Sequence, residues 1–79
     1  MQKIKIIWDF RGEDNLEIAK HHAIHLKEFC LKENVDFLDI NFSNISEFHT
    51  IAFIVTTKNN VVIIRDSLKP HRAEIVIEN

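Results

Sequence analysis

Residues 13–34 read EDNLEIAKHHAIHLKEFCLKEN, and this stretch decides how the rest of the chain must fold. It contains no Pro or Gly and is rich in Leu, Ala, Glu and Lys, which lose little side-chain freedom in a helix. Asp14 or Asn15 can cap its amino end, and Lys32 suits the negative end of the helix dipole. Asn34 can end it. The sequence therefore predicts one long helix over 13–34.

The side chains of this predicted helix divide into two faces, because an α-helix turns about 100° per residue. A broad apolar face holds Ile18, Ala19, His22, Ala23, Leu26, Phe29 and Cys30. A narrower stripe on the opposite side, here called the outer stripe, holds Leu16, Ile24 and Leu31. His22 lies within the broad face, whereas His21 and His25 lie on its flank. We therefore expect His22 to be largely buried and His21 to be more exposed.

Strand patterns flank the helix on both sides. Residues 4–10 mix alternating and continuous apolar character, which is typical of an inner strand. After the helix, 37–42 alternates apolar and polar residues and 49–56 is rich in β-branched residues, which predicts a hairpin with a polar loop. Another alternating segment, 73–78, closes the chain as a predicted strand.

Segment 58–69 admits two interpretations. As a helix, it carries Val61, Ile64 and Leu68 on one stripe and has Pro70 just beyond its end. As a strand, it uses the β-branched run at its centre and needs a hairpin turn before it and a new loop after it. We prefer the helix because it explains Leu68 and Pro70 together.

These elements give the order βαββαβ across a single domain, residues 1–79, without an internal repeat or linker. The order resembles that of the ferredoxin-like sandwich. In this α+β fold, a four-stranded antiparallel sheet carries two helices on one face. The resemblance rests on element order and covers the whole chain. It implies that three of the connections meet at one end of the sheet.

Composition narrows the class of protein. With 79 residues and 46% hydrophobic content, the chain has enough apolar material for one compact core. Its single cysteine excludes an internal disulfide and a CxxC site. A net charge of −2 does not favour a nucleic-acid partner. Because the sequence has no membrane-length apolar run and no signal-peptide pattern at its start, we expect a cytoplasmic protein with no membrane partner.

One end of the predicted fold collects polar side chains. Arg11 follows the first strand, His49 begins the third, and His71 and Arg72 precede the last. Guanidinium and imidazole groups beside the amino end of a helix favour an anion. The leading hypothesis is therefore a binding module for a small anionic ligand, with these four as its ligand-binding residues. The alternative is that Arg11 and Arg72 pair with aspartates, Asp9, Asp14 or Asp66, and that the loops are simply polar.

The histidines of the long helix carry the rival hypothesis, a metal-binding protein or an enzyme. His21 and His25 have the i, i+4 spacing that lets two imidazoles share one metal ion, and Glu17 or Glu28 could add a carboxylate. Zinc usually takes three or four protein ligands, so the pair needs completion from elsewhere, for example from a second subunit. The alternative is that both are solvated side chains. No cofactor is favoured.

His22 places a polar ring on an apolar face. Leaving such a group buried and unpaired costs about 1 to 3 kcal/mol, so we expect it to hydrogen-bond to a strand or loop. Its other interpretation is a catalytic residue. No Ser or Cys is arranged as a nucleophile, so the sequence names no reaction and leaves open whether the protein is an enzyme.

A domain this small gains stability from oligomerisation, and we expect a homodimer. The helices cover the sheet face of Ile4, Ile6 and Trp8, together with either Ile51, Phe53 and Val55 or their alternates. Strand alternation then leaves another set, which includes Ile7, Ala52, Ile54 and Val76, on the uncovered face. A two-fold axis can bury such a patch from both subunits at once. The outer stripe is the second candidate surface. The alternative is that polar residues keep the uncovered sheet face solvated, namely Lys5, Asp9, Asp39, Asn41, Glu74 and Glu78.

Overall fold

The structure is a computed structural model that describes residues 2–77. The strands are β1 (Lys3–Arg11), β2 (Asp39–Ser46), β3 (His49–Thr57) and β4 (Arg72–Val76). The helices are α1 (Asn15–Lys32) and α2 (Val61–Leu68), and a short 3-10 turn, Lys58–Asn60, leads into α2. The helical interpretation of 58–69 is confirmed. Glu78, predicted within the last strand, lies outside the described residues.

All strands pair antiparallel in one sheet of order β2-β3-β1-β4. β1 and β3 are therefore the inner strands, and β2 and β4 are the edges. α1 connects β1 to β2, and α2 connects β3 to β4. This is the strand order of a ferredoxin-like sandwich, and the predicted α+β fold class is confirmed.

The core lies between the helices and one face of the sheet. Ile6 and Trp8 pair in register with Ile54 and Ala52, so these side chains share that face. They pack with residues of both helices to form the buried cluster Ile6, Trp8, Ala23, Leu26, Cys30, Val35, Ala52, Ile54 and Ile64. Within residues 2–77, neither helix is long and apolar enough to cross a membrane.

The uncovered sheet face differs from its prediction. Ile7 and Val76 do lie there, but Ala52 and Ile54 are on the core face and are fully buried. The prediction was wrong for these two because the register sets which alternate residues of β3 face the helices. The partner of Ile7 on β3 is Phe53.

Apolar residues of the uncovered face are covered within the monomer. Ile7 is 1% exposed and Ile51 is 4% exposed. Lys5 extends across this face, with its Nζ 4.3 Å from the centroid of the Phe53 ring. Long charged side chains can cover apolar surface with their aliphatic stems. Phe53, Val55 and Val76 on the same face are half-buried, so the monomer covers this face in part.

Helix α1 buries most of its predicted broad face. Ala19, Ala23, Leu26 and Cys30 are buried, as the periodicity predicts. Ile18 is 50% exposed, so its predicted burial was wrong, because it stands at the margin of the buried arc of the helix. On the outer stripe, Ile24 and Leu31 are 59% and 63% exposed.

Asn15 is not the cap that the sequence suggests. Asp14 occupies the cap position without a side-chain cap bond, and Asn15 is the first residue of α1, 2% exposed. Its Nδ2 donates to the Gly12 carbonyl at 2.6 Å and to the Glu47 carbonyl at 2.9 Å, and its Oδ1 accepts from Thr50 Oγ1. Asn15 thus ties the start of α1 to the β2–β3 turn.

Candidate functional site

The end of the sheet at which β1 finishes brings three connections together. After β1, the N–H of Gly12 donates to the carbonyl of Phe48 in the β2–β3 turn at 3.0 Å. In the α2–β4 connection, the N–H of His71 donates to the carbonyl of Ile7 at 3.0 Å. Gly12 has φ 114°, a backbone conformation that favours glycine, and this lets the chain turn into α1. The predicted meeting of these connections is present.

Asp9 is the centre of a charged cluster on the uncovered sheet face. Its Oδ2 accepts from Arg72 Nε at 2.9 Å, and its Oδ1 accepts from Arg72 Nη2 at 3.1 Å. The same Oδ1 lies 2.7 Å from His49 Nε2. Arg72 also donates through Nη1 to Glu74 Oε1 at 2.6 Å. We call these four residues the Asp9 cluster.

The charge of Asp9 is compensated within the cluster. The hydrogen bond from Arg72 lowers the pKa of Asp9 well below its usual range, against the opposing effect of burial, and His49 lowers it further. In turn, the hydrogen bond to Asp9 raises the pKa of Arg72. An ionised carboxylate only accepts, so His49 Nε2 is the donor. Asp9 and His49 side chains are 15% and 14% exposed, so their contact is largely shielded from water.

The other two residues predicted at this end lie beside the cluster. His71 Nδ1 accepts the backbone N–H of Asp9 at 2.7 Å, which places the proton of the neutral ring on Nε2. Arg11 is the register partner of His49 and is exposed. The structure thus brings the four predicted residues to one end and ties Arg72 and His49 to Asp9. Anion binding by them stays a prediction.

His22 lies on the core side at this same end and is half-buried. Its ring centroid is 5.3 Å from that of Trp8 and 5.1 Å from that of Phe10. Burial lowers the pKa of His22, and the nearby His25 and His71 lower it further. In the part of the chain that the structure describes, His22 Nε2 is buried without a hydrogen-bond partner. The expected bond to a strand or loop is therefore not made by this nitrogen, and the ring packs between Trp8 and Phe10.

An open hollow on the flank of α1 is lined by Glu17, Ile18, His21, His22 and His25. The His21 and His25 rings meet edge to face, with centroids 4.8 Å apart. His25 Nδ1 lies 2.9 Å from Glu28 Oε1. Among residues 2–77, no three His, Cys, Asp or Glu side chains are grouped closely enough to hold a metal ion. One chain therefore offers the predicted histidine pair, with no third ligand beside it.

Two parts of this end were not predicted. Glu74 lies on the same face of β4 as Arg72 and accepts a hydrogen bond from it. The sequence could have indicated this contact, because residues i and i+2 of a strand share a face. The buried bonds of Asn15 have no comparable local signal, because its partner Glu47 is 32 positions away. Strand alternation could have predicted the Glu74 contact, whereas the Asn15 bonds depend on the folded chain.

Comparison of the chain with protein-family models, curated proteins and solved structures found no match in any of the three.

Proposed function

We propose that this chain is a self-associating module that binds a small carboxylate or phosphate at the Asp9 cluster. The observation that carries the proposal is the set of three N–H donors directed at the Asp9 carboxylate, two from Arg72 and one from His49. A guanidinium fork beside an imidazole donor suits any pair of carboxylate or phosphate oxygens. In the free protein, Asp9 supplies those oxygens.

Asp9 acts in this proposal as an internal competitor of the ligand. The incoming anion takes over the donors of Arg72 and His49, and the Asp9 side chain turns away. The Arg72 side chain is 43% exposed, so the ligand can reach it from solvent. Arg11 and the Nε2–H of His71 lie at the same end and supply further donors. Because the competitor is tethered, the native protein binds the anion weakly.

Replacing Asp9 tests the competition directly. Asp9→Asn keeps the size of the side chain and removes its negative charge. Isothermal titration with inorganic phosphate, and separately with succinate, should show binding at least about tenfold tighter than in the native protein. The reason is that a hydrogen bond between charged groups is worth more than the roughly 1.4 kcal/mol that a tenfold change requires. The two probes separate a phosphate site from a carboxylate site.

Two further variants control for charge and fold. Arg72→Gln, added to Asp9→Asn, should abolish the gained binding. Arg65→Gln should not change it, since Arg65 is another exposed arginine, bound to its neighbour Asp66 at 3.1 Å and outside the cluster. Equal affinity of the native protein, Asp9→Asn and the double variant would refute the proposal.

Self-association is proposed through the outer stripe rather than the uncovered sheet face. Ile24 and Leu31 are more than half exposed, whereas Ile7 and Ile51 of the sheet face are already buried in the monomer. The stripe borders a groove between α1 and β2 that is lined by Lys20, Ala23, Ile24, Lys27, Ile40, Asn41 and Phe42. A second copy, related by a two-fold axis, buries the same apolar side chains from both subunits.

Edge strand β2 is a weaker partner for such a copy. The backbone N–H of Phe42 donates to Asn41 Oδ1 at 2.9 Å, so a side chain of β2 itself already accepts from this edge donor. Occupied edge groups oppose strand addition. The proposed contact is therefore helix to helix.

A further inference from the structure

His21 and His25 form a matched pair on an exposed face of α1. One helical turn separates them, and their ring centroids are 4.8 Å apart. Both residues are exposed and line the open hollow, so a small ion can reach the rings from solvent. The α-helix places both side chains on one face, one turn apart, without a loop or a second element.

Glu28 fixes the orientation of one ring. Its Oε1 lies 2.9 Å from His25 Nδ1, and because an ionised carboxylate can only accept, Nδ1 is the donor. The neutral ring then carries its lone pair on Nε2. A carboxylate bound to the non-coordinating nitrogen is the arrangement that orients metal-binding histidines in proteins and makes them better ligands.

We propose that His21 and His25 bind one divalent transition cation, Cu²⁺ or Ni²⁺, with Glu28 as the positioning residue and water in the remaining coordination positions. Imidazole suits these ions, whereas Mg²⁺ and Ca²⁺ require oxygen ligands. For a site of two nitrogens, Cu²⁺ binds most tightly. The acidic side chain of Glu17 lines the same hollow and adds electrostatic attraction for a cation.

His22 is not part of this pair although it borders the hollow. Its Nε2 is buried, and its ring packs against Trp8 and Phe10 on the core side. The ligand set is therefore the i, i+4 pair alone. This separates the metal site from the Asp9 cluster, so either proposal can fail without the other.

Titration of tag-free protein with CuCl₂, NiCl₂, ZnCl₂ and MgCl₂ tests the site. We expect one Cu²⁺ per chain, bound more tightly than Ni²⁺ and Zn²⁺, and no heat from Mg²⁺. Electron paramagnetic resonance of the Cu²⁺ complex should show coupling to two imidazole nitrogens. Glu28→Gln should weaken Cu²⁺ binding about tenfold while retaining both nitrogens, as expected for a group that orients a ligand.

Single-histidine variants decide between this pair and scattered surface histidines. His21→Ala and His25→Ala should each weaken Cu²⁺ binding more than Glu28→Gln does and should reduce the coupling to one nitrogen. His71→Gln removes a histidine outside α1 and should leave affinity and spectrum unchanged. The proposal is overturned by native-like Cu²⁺ affinity in both alanine variants, or by an equal loss in His71→Gln.

Discussion

Asp9 shows how strongly one side chain can depend on its neighbours. It stands in an inner strand, where an isolated carboxylate would be costly, and three N–H donors from Arg72 and His49 satisfy it. Since its pKa is lowered in the folded protein, the ionised form stabilises the fold. The free energy of unfolding therefore depends on pH through Asp9. The contribution is complete above the unfolded value of 3.8 and is lost as the pH falls through the lower folded value.

Acid unfolding should therefore distinguish the native protein from Asp9→Asn. In urea titrations from about pH 7 to about pH 2, the native free energy of unfolding should fall more steeply below about pH 4 than that of the variant. The native protein should be the more stable of the two at neutral pH, and the difference should shrink with acidification. Asp66→Asn, which removes an exposed pair with Arg65, serves as the control and should follow the native curve. Parallel curves for native protein and Asp9→Asn would contradict the role given to Asp9.

At the scale of elements, Asn15 joins α1 to the β2–β3 turn. It is 2% exposed and bonds to Gly12, Glu47 and Thr50. Thr50 accepts in turn from Asn44 Nδ2 at 2.8 Å, so the turn and the helix start share one polar network that is buried at Asn15 and Thr50. Such a network stabilises only when every member is paired.

Asn15→Ala should lower the free energy of unfolding by about 2 to 4 kcal/mol, because the Glu47 carbonyl and the Thr50 hydroxyl lose their partner. The Gly12 carbonyl keeps the backbone N–H of residue 15, at 3.3 Å. Asn15→Asp is the sharper test. A cap residue tolerates Asp, whereas here the Nδ2 donor faces two carbonyls and a carboxylate in its place would repel them. We expect Asn15→Asp to be at least as destabilised as Asn15→Ala in thermal and urea unfolding.

Asn59→Ala, an exposed change in the 3-10 turn, should stay within about 0.5 kcal/mol of native. Native-like stability of Asn15→Asp would contradict the donor role of Nδ2 and would favour a helix-capping role for Asn15.

At the scale of the whole molecule, the proposed self-association depends on which apolar surfaces the monomer leaves exposed. The helices cover one sheet face, and charged residues such as Lys5 extend over the other. Several large apolar side chains are exposed elsewhere, and two of the exposed ones, Ile24 and Leu31, share the outer stripe. A chain of this size buries only about 60% of its unfolded surface, so covering that stripe adds needed stability.

Light scattering across a dilution series tests whether the outer stripe forms a dimer interface. We expect a dimer at high micromolar concentration that dissociates on dilution. Ile24→Lys should give a monomer at all concentrations. Phe53→Lys, on the uncovered sheet face, should leave the dimer intact. Loss of the dimer only in Phe53→Lys would move the interface to the sheet, and a native protein that stays monomeric would refute both surfaces.

Part of this architecture was predictable because it depends on local pattern. The period of the apolar residues set the long helix, and Asn34, at φ 55°, follows its end as predicted. The same kind of argument gave the order βαββαβ and chose a helix over a strand for 58–69. For the candidate site, element order alone placed Arg11, His49, His71 and Arg72 at one end.

Tertiary structure decided what depends on register and on distant partners. Which residues of β3 face the helices follows from the pairing of Trp8 with Ala52, and a shift of one position would reverse it. The same pairing brings His49 near Asp9, and the pairing of Ile7 with Arg72 brings Arg72 from β4, which joins four separate polar residues into one hydrogen-bonded cluster. Side-chain periodicity is a property of the local backbone, and the sequence alone determined it. Pairing between strands is a contact between distant parts of the chain, and only the folded structure could determine which side chains share a face.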